Sequence, residues 1–213
     1  MVIRQSCSRL ADLFRLGRIS WSERAREMII VKDDFFKSDI ANLIAKGTEA
    51  YQWRYHHKSA NDPTYNKLFV SALWSGGSED NFFHMLWKLI HKDVSSLQDY
   101  ECWRIIANGQ VKGQDGNWHT DYGDITVLYY PTAWKHEWGG STYLEIDGSK
   151  REIPYKKNRL LIFDSEISHY GSCPTVDNII RVTIAFNLRH KSRAYEPPEE
   201  ALRNPSNDVV SGS

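Results

Sequence analysis

The chain has 213 residues, of which 41% are hydrophobic, 25% charged and 13% aromatic, enough for one domain of roughly 150 residues with an additional arm. Twenty-seven basic residues balance 27 acidic ones and the pI is near 7.1, which argues against a nucleic-acid-binding surface over most of the protein. No apolar run is long enough for a transmembrane helix. The three distant cysteines Cys7, Cys102 and Cys173 suit neither a disulfide framework nor a zinc finger, and read as reduced thiols of a cytoplasmic protein.

Residues 1–27 carry Arg4, Arg9, Arg15, Arg18, Arg24 and Arg26 against Asp12, Glu23 and Glu27. Their apolar residues are loosely helical in spacing, so this basic arm reads as a short helix packed on the domain, with an organelle transit peptide as the alternative. Met28 to Val31 is a β-type run ended by Lys32-Asp33-Asp34. The spacing of Phe36, Ile40, Leu43, Ile44, Tyr51 and Tyr55 predicts a helix over 35–58, capped by Ser38 or Asp34. Asn61-Asp62-Pro63 and Ser75-Gly-Gly-Ser78 mark 59–78 as loop. Phe82, Phe83, Leu86, Trp87 and Ile90 make the apolar stripe of a second helix over 79–92, with acids in its first turn.

After Asp99 the period becomes strand-like: 103–107, 124–130, 141–146, 159–163 and 179–188 are β-rich, separated by Gly and Pro clusters. Residues 191–213 hold Pro197-Pro198 and Pro205 with few large apolar residues, and read as a flexible tail. Helices followed by short strands predict an α+β fold in which helices buttress a β-sandwich or barrel over 28–190.

Trp118-His119-Thr120-Asp121 puts an imidazole and a carboxylate two residues apart, on one side of an extended chain. His169 follows the 159–163 strand and supplies a second imidazole. Two histidines and one carboxylate form the facial triad of non-haem Fe(II) oxygenases, whereas zinc would more often recruit a third His or Cys. Along 179–188, Arg181, Thr183, Ala185 and Asn187 alternate with the apolar Ile180, Val182, Ile184 and Phe186. The apolar set suits burial against helices, so Arg181 faces the site, where its planar fork matches a carboxylate ligand. The turn at 173–178 makes the flanking strands antiparallel neighbours. Either Tyr129 or Tyr130 points inward beside Arg181, depending on register.

The segments Trp118-His-Thr-Asp121, Val127-Leu-Tyr-Tyr130, Glu137-Trp-Gly-Gly140, Asn158 to Asp164, His169-Tyr-Gly171 and Ile179 to Phe186 together resemble the 2-oxoglutarate and Fe(II)-dependent oxygenases of the prolyl 4-hydroxylase type, over about 99–189. The resemblance implies a double-stranded β-helix, a jelly-roll or cupin-like barrel, with N-terminal helical support from 28–98. It also implies an iron site of His119, Asp121 and His169. Arg181 matches the residue that pairs with the C5 carboxylate of 2-oxoglutarate, and Tyr130 matches a supporting hydroxyl. The implied reaction couples decarboxylation of 2-oxoglutarate to succinate, with O₂, to hydroxylation of a C–H bond, and ascorbate supports it. Asp121 argues against halogenation, since related halogenases carry a small residue there. Two features depart from the pattern. The tyrosine that many members place some ten residues before the first histidine is replaced by Ala107-Asn108-Gly109, and Arg181 stands where the family often has Lys.

A peptidyl proline is the leading substrate expectation, with Trp118, Tyr122, Trp134, Trp138 and Tyr170 near the mouth. A free amino acid or biosynthetic small molecule is the rival, and a non-catalytic barrel acting as a binding module is the reading from another class. His56-His57 reads as a solvated pair at a helix end, and His84 and His91 as a helical pair without a third ligand.

Overall fold

A computed structural model describes residues 29–57, 67–74 and 81–192. The basic arm at 1–27 and the tail from 193 onward lie outside the described residues. The chain enters through β1 (Ile30–Lys32), α1 (Ser38–Ala50), β2 (Arg54–His57), β3 (Leu68–Trp74) and α2 (Phe82–Asp93). The β-rich part then runs β4 (Tyr100–Gln110), β5 (Ile125–Tyr129), β6 (Thr142–Ile146), β7 (Ser149–Ile153), β8 (Leu160–Asp164), β9 (His169–Gly171) and β10 (Arg181–His190). All pairings are antiparallel, in a seven-stranded sheet ordered β1-β8-β5-β10-β4-β3-β2 and a three-stranded sheet ordered β7-β6-β9. The two form the walls of a double-stranded β-helix.

The major sheet is buried on both faces, so its central strands carry apolar residues almost continuously. On β10, Val182, Ile184 and Phe186 join Phe83, Leu86, Trp87 and Ile90 of α2 in the outer core. Ala185 of β10, Ile106 of β4 and Leu128 of β5 pack inward with Leu144 of β6. Arg181, Thr183 and Asn187 share that inward side and are buried polar residues. Burying the α2 stripe stabilises by about 1.5–3 kcal/mol per large side chain. The helix therefore holds the wall from which the site projects.

Five sequence expectations change. The 35–58 helix ends at Ala50, because Arg54 and Tyr55 pair with Val70 and Phe69 on β3, a tertiary pairing that overrides local period. His56-His57 therefore lies in a strand, and residues 68–74, expected as loop, are the strand it pairs with; 59–66 and 75–78 lie outside the described residues. Neither Ser38 nor Asp34 caps α1, whose first turn follows Lys37 without a side-chain cap; Asp34 takes φ 52° and binds Lys156 instead. The second helix starts at Phe82, capped by the Asn81 side chain accepting from Phe83 and His84, with no acid in its first turn. Lastly, β9 and β10 are not neighbours: β9 pairs with β6 and β10 with β4 and β5. The intervening turn crosses between the sheets, anchored where the Ser172 and Thr175 amides donate to Ser141 and Trp138 carbonyls.

Asn158 ties the start of α1 to the barrel. Its Oδ1 accepts from the Phe36 amide at 3.0 Å and the Tyr129 hydroxyl at 3.0 Å, and its Nδ2 donates to the Phe36 carbonyl at 2.7 Å. Its φ of 62° also suits asparagine better than most residues. Asn158→Ala should destabilise the fold by about 2–4 kcal/mol, since it orphans three buried groups; urea unfolding at constant m-value measures this.

Candidate metal centre and anion pocket

His119 and His169 are held side by side by an isolated antiparallel bridge. The His119 amide donates to the His169 carbonyl at 3.0 Å, and the reverse bond is 2.8 Å. The ring centroids stand 4.3 Å apart. Each Nδ1 contacts the carbonyl two residues earlier, Asn117 at 2.8 Å and Ile167 at 2.9 Å. A carbonyl only accepts, so Nδ1 carries the hydrogen and Nε2 of the neutral ring keeps a lone pair. Both lone-pair atoms address Asp121: His119 Nε2 lies 3.8 Å from Oδ1 and His169 Nε2 3.6 Å from Oδ2. One ligand atom from each of the three residues falls within 4.8 Å of the others, and no other such group of three occurs among the described residues. His84 and His91 accordingly find no third ligand.

The environment keeps these groups in ligand form. Burial pulls the His169 pKa down to about 4, against the opposing Asp121 charge, so the ring is neutral at neutral pH. Burial works to raise Asp121, but the His169 and His119 imidazoles, the Thr126 hydroxyl and Arg104 outweigh it and hold the carboxyl below its usual value. Thr126 Oγ1 donates to Asp121 Oδ2 at 2.7 Å and lies 3.0 Å from Ser165 Oγ, while the Asp121 amide donates to the Ser165 carbonyl. Two imidazoles that turn Nε2 toward an oriented carboxylate suit a divalent first-row metal. Thr126→Val leaves the carboxylate without this donor, and iron affinity should fall on the order of 10- to 100-fold, measured by competition with a colorimetric chelator.

The second cluster surrounds Arg181, which is only 2% exposed. Its Nε donates to the Gly140 carbonyl at 2.6 Å, Nη1 to Gln110 Oε1 at 2.7 Å and Nη2 to Thr142 Oγ1 at 2.8 Å. A guanidinium has five N–H groups, so one hydrogen remains on each Nη. The Tyr130 hydroxyl bonds Thr142 Oγ1 at 2.8 Å. These two hydroxyls share one hydrogen bond, so one hydroxyl proton is also left over. No carboxylate of the described residues pairs with Arg181; the groups whose fields oppose its desolvation are Tyr130, Tyr155 and Cys173. A buried guanidinium without a counter-charge is costly, and the three unused donors of this cluster suit an anion.

The two tyrosines face opposite sides of the major sheet. Tyr130 lies in the inner core beside Arg181, while Tyr129 lies in the outer core with its hydroxyl on Asn158. Gln110 occupies the region where the family's tyrosine was missing, and its Oε1 fixes one arm of the guanidinium; its Nε2 donates to the Gly171 and Gln114 carbonyls. Gln110 and Thr142 were not singled out in sequence; the inward alternation of β4 from Ile106 is the signal that leads to Gln110. Gly171 leaves room for the same guanidinium, since a Cβ there would sit 2.7 Å from Nη1. The five aromatic candidates separate. Trp134 packs on Tyr155 and Trp138 near Gly140, whereas Trp118 meets Tyr170, which stacks on Tyr143 outside the minor sheet.

Residues 104–189, which span both clusters, match the model of the 2OG-Fe(II) oxygenase superfamily. Over these residues the chain is similar to that superfamily, and its resemblance is to the prolyl 4-hydroxylase type. The protein is a dioxygenase that depends on Fe(II) and 2-oxoglutarate, with O₂ as cosubstrate. Solved structures share the fold. A Pseudomonas putida prolyl-4-hydroxylase is 13% identical, with 80% of this chain and 97% of that one covered and a TM-score of 0.59. A Trichoplax adhaerens prolyl hydroxylase, in complex with a hypoxia inducible factor oxygen degradation domain peptide fragment, is 16% identical over 94% and 98%, with a TM-score of 0.57. HygX from Streptomyces hygroscopicus, with nickel, 2-oxoglutarate and hygromycin B bound, is 10% identical over 77% and 83%, also with a TM-score of 0.57. A search of the curated proteins finds no match. No helix of the described residues is long and apolar enough to cross a membrane.

Proposed function

We propose that His119, Asp121 and His169 hold the iron, that Arg181 with Tyr130 and Thr142 binds the C5 carboxylate of 2-oxoglutarate, and that the reaction hydroxylates a prolyl residue in a peptide or protein. The observation that carries this reading is the Arg181 pocket: a buried cation with no carboxylate partner, in the same barrel as two imidazoles and an aspartate. The bound metal, with 2-oxoglutarate and O₂, supplies oxidative decarboxylation to succinate and CO₂ and the oxidising power for an unactivated C–H bond. The chain's own residues do the positioning. The bridge between His119 and His169 aligns both Nε2 atoms, Thr126 orients Asp121, and Gln110, Gly140 and Thr142 lock the guanidinium plane so that two N–H groups meet one carboxylate. The inner core, from Leu144 to Phe163, keeps water from the pocket.

The prolyl substrate is supported by the resemblance to prolyl hydroxylases. The fold likeness to HygX, with hygromycin B bound in its own structure, supports the small-molecule alternative. The unpaired Cys102 and Cys173 support a reducing, cytoplasmic location. Anaerobic addition of Fe(II) and 2-oxoglutarate should produce the weak visible charge-transfer band of the chelate. Admission of O₂ with ascorbate should then release succinate slowly, even without substrate. Iron binding with neither band nor succinate would overturn the reading in favour of a binding module.

A further inference from the structure

Among the described residues, the barrel interior holds a further ionised group, whose field acts on Asp121 but whose N–H donors neither cluster uses. Arg104 lies on β4, on the inward side shared by Ile106 and Gln110, six residues from Gln110. At about 3.3 Å per residue, it stands roughly 20 Å along the strand from the register position of Arg181. Arg104 pairs in register with Asn187 of β10, and Asn187 with Thr126 of β5, whose hydroxyl holds Asp121. Arg104 therefore belongs to the iron-ligand end of the barrel, and Arg181 to the other.

Its guanidinium is largely withdrawn from water, and desolvation lowers its pKa against the fields of Asp121 and Tyr122. It makes no hydrogen bond and no ion pair within 4.0 Å among the described residues, unlike Arg181 with its three acceptors. Tyr122, 47% exposed, marks the solvent side of this end. Charge points the same way. Fe(II), the Asp121 carboxylate, dianionic 2-oxoglutarate and Arg181 cancel, which leaves the Arg104 cation without a counter-charge once the site is loaded. A desolvated guanidinium with free donors beside the reacting centre is built to meet an anion.

We infer that Arg104 receives a carboxylate of the primary substrate, which therefore carries an acidic group close to the carbon that is oxidised. The inference rests on the assignment of iron and 2-oxoglutarate above. The carboxylate has two possible sources: the terminus of an amino-acid-like molecule, or an acidic side chain next to the target residue of a peptide.

Two matched pairs of probes separate them: N-acetyl-L-proline against its amide, and acetyl-Asp-Pro-amide against acetyl-Asn-Pro-amide. Each is dialysed to equilibrium under nitrogen against the full chain with Fe(II) and 2-oxoglutarate. Wild type should retain the acidic member of one pair at least about tenfold more tightly, the first pair indicating a terminal carboxylate and the second an acidic side chain. Arg104→Gln should abolish the preference, and Arg104→Lys should restore part of it. The role fails if neither pair shows the preference, whether both members bind or neither does, or if the preference survives in Arg104→Gln. Labelled 2-oxoglutarate in parallel cells tells the failures apart. Wild type that retains 2-oxoglutarate without carboxylate preference overturns the Arg104 role alone, and wild type that does not retain it overturns the underlying assignment. Retention by Arg104→Gln shows that this variant is folded.

Discussion

Replacing Asp121 by alanine should cost more than about 100-fold in iron affinity. Loss of a residue that merely orients a ligand costs on the order of 10- to 100-fold, and Asp121 is the only anion of the proposed triad. The remaining imidazoles at His119 and His169 keep their Nδ1 hydrogen bonds to Asn117 and Ile167, so they still offer two Nε2 atoms, now to a more weakly held metal. Succinate release at limiting iron should fall at least about tenfold and recover in part at high iron, because the Arg181 pocket is untouched. Equal succinate release by Asp121→Ala and wild type at limiting iron would exclude the triad.

Arg181→Ala has the second largest expected effect. Charge-assisted hydrogen bonds contribute about 1.5–3 kcal/mol, so affinity for 2-oxoglutarate should fall on the order of 10- to 150-fold. Arg181→Lys should lose less: it keeps the charge but replaces a planar fork with a point donor that cannot satisfy Gly140, Gln110 and Thr142 together. Iron affinity without cosubstrate should be nearly unchanged in both variants. Titration of 2-oxoglutarate against the iron-loaded protein, followed through the visible band, measures the difference. An unchanged affinity in Arg181→Ala would make the residue a structural hydrogen-bond hub.

The chemistry was legible in the sequence because it rests on short-range order. His119 and Asp121 are two residues apart, and an extended backbone alone puts them on one side. The alternation of Arg181, Thr183 and Asn187 with Val182, Ile184 and Phe186 assigned the inner and outer faces of β10 for the same reason: a strand has a period of two. The stripe of α2 was equally local. What the sequence left open depends on partners far away along the chain. The segment at 54–57 has a helical period in isolation and becomes a strand because β3 offers it hydrogen bonds. Tyr129 and Tyr130 are indistinguishable until register is known; pairing of Tyr129 with Ile184 and Leu160 turns it to the outer core and Tyr130 inward. Gln110 and Thr142 meet Arg181 across 71 and 39 residues, and no local pattern encodes that meeting. Nor does the turn before β10 reveal that it joins two sheets. Periodicity fixes which way a side chain faces along its own strand, while closure of the barrel alone decides which side chains it faces.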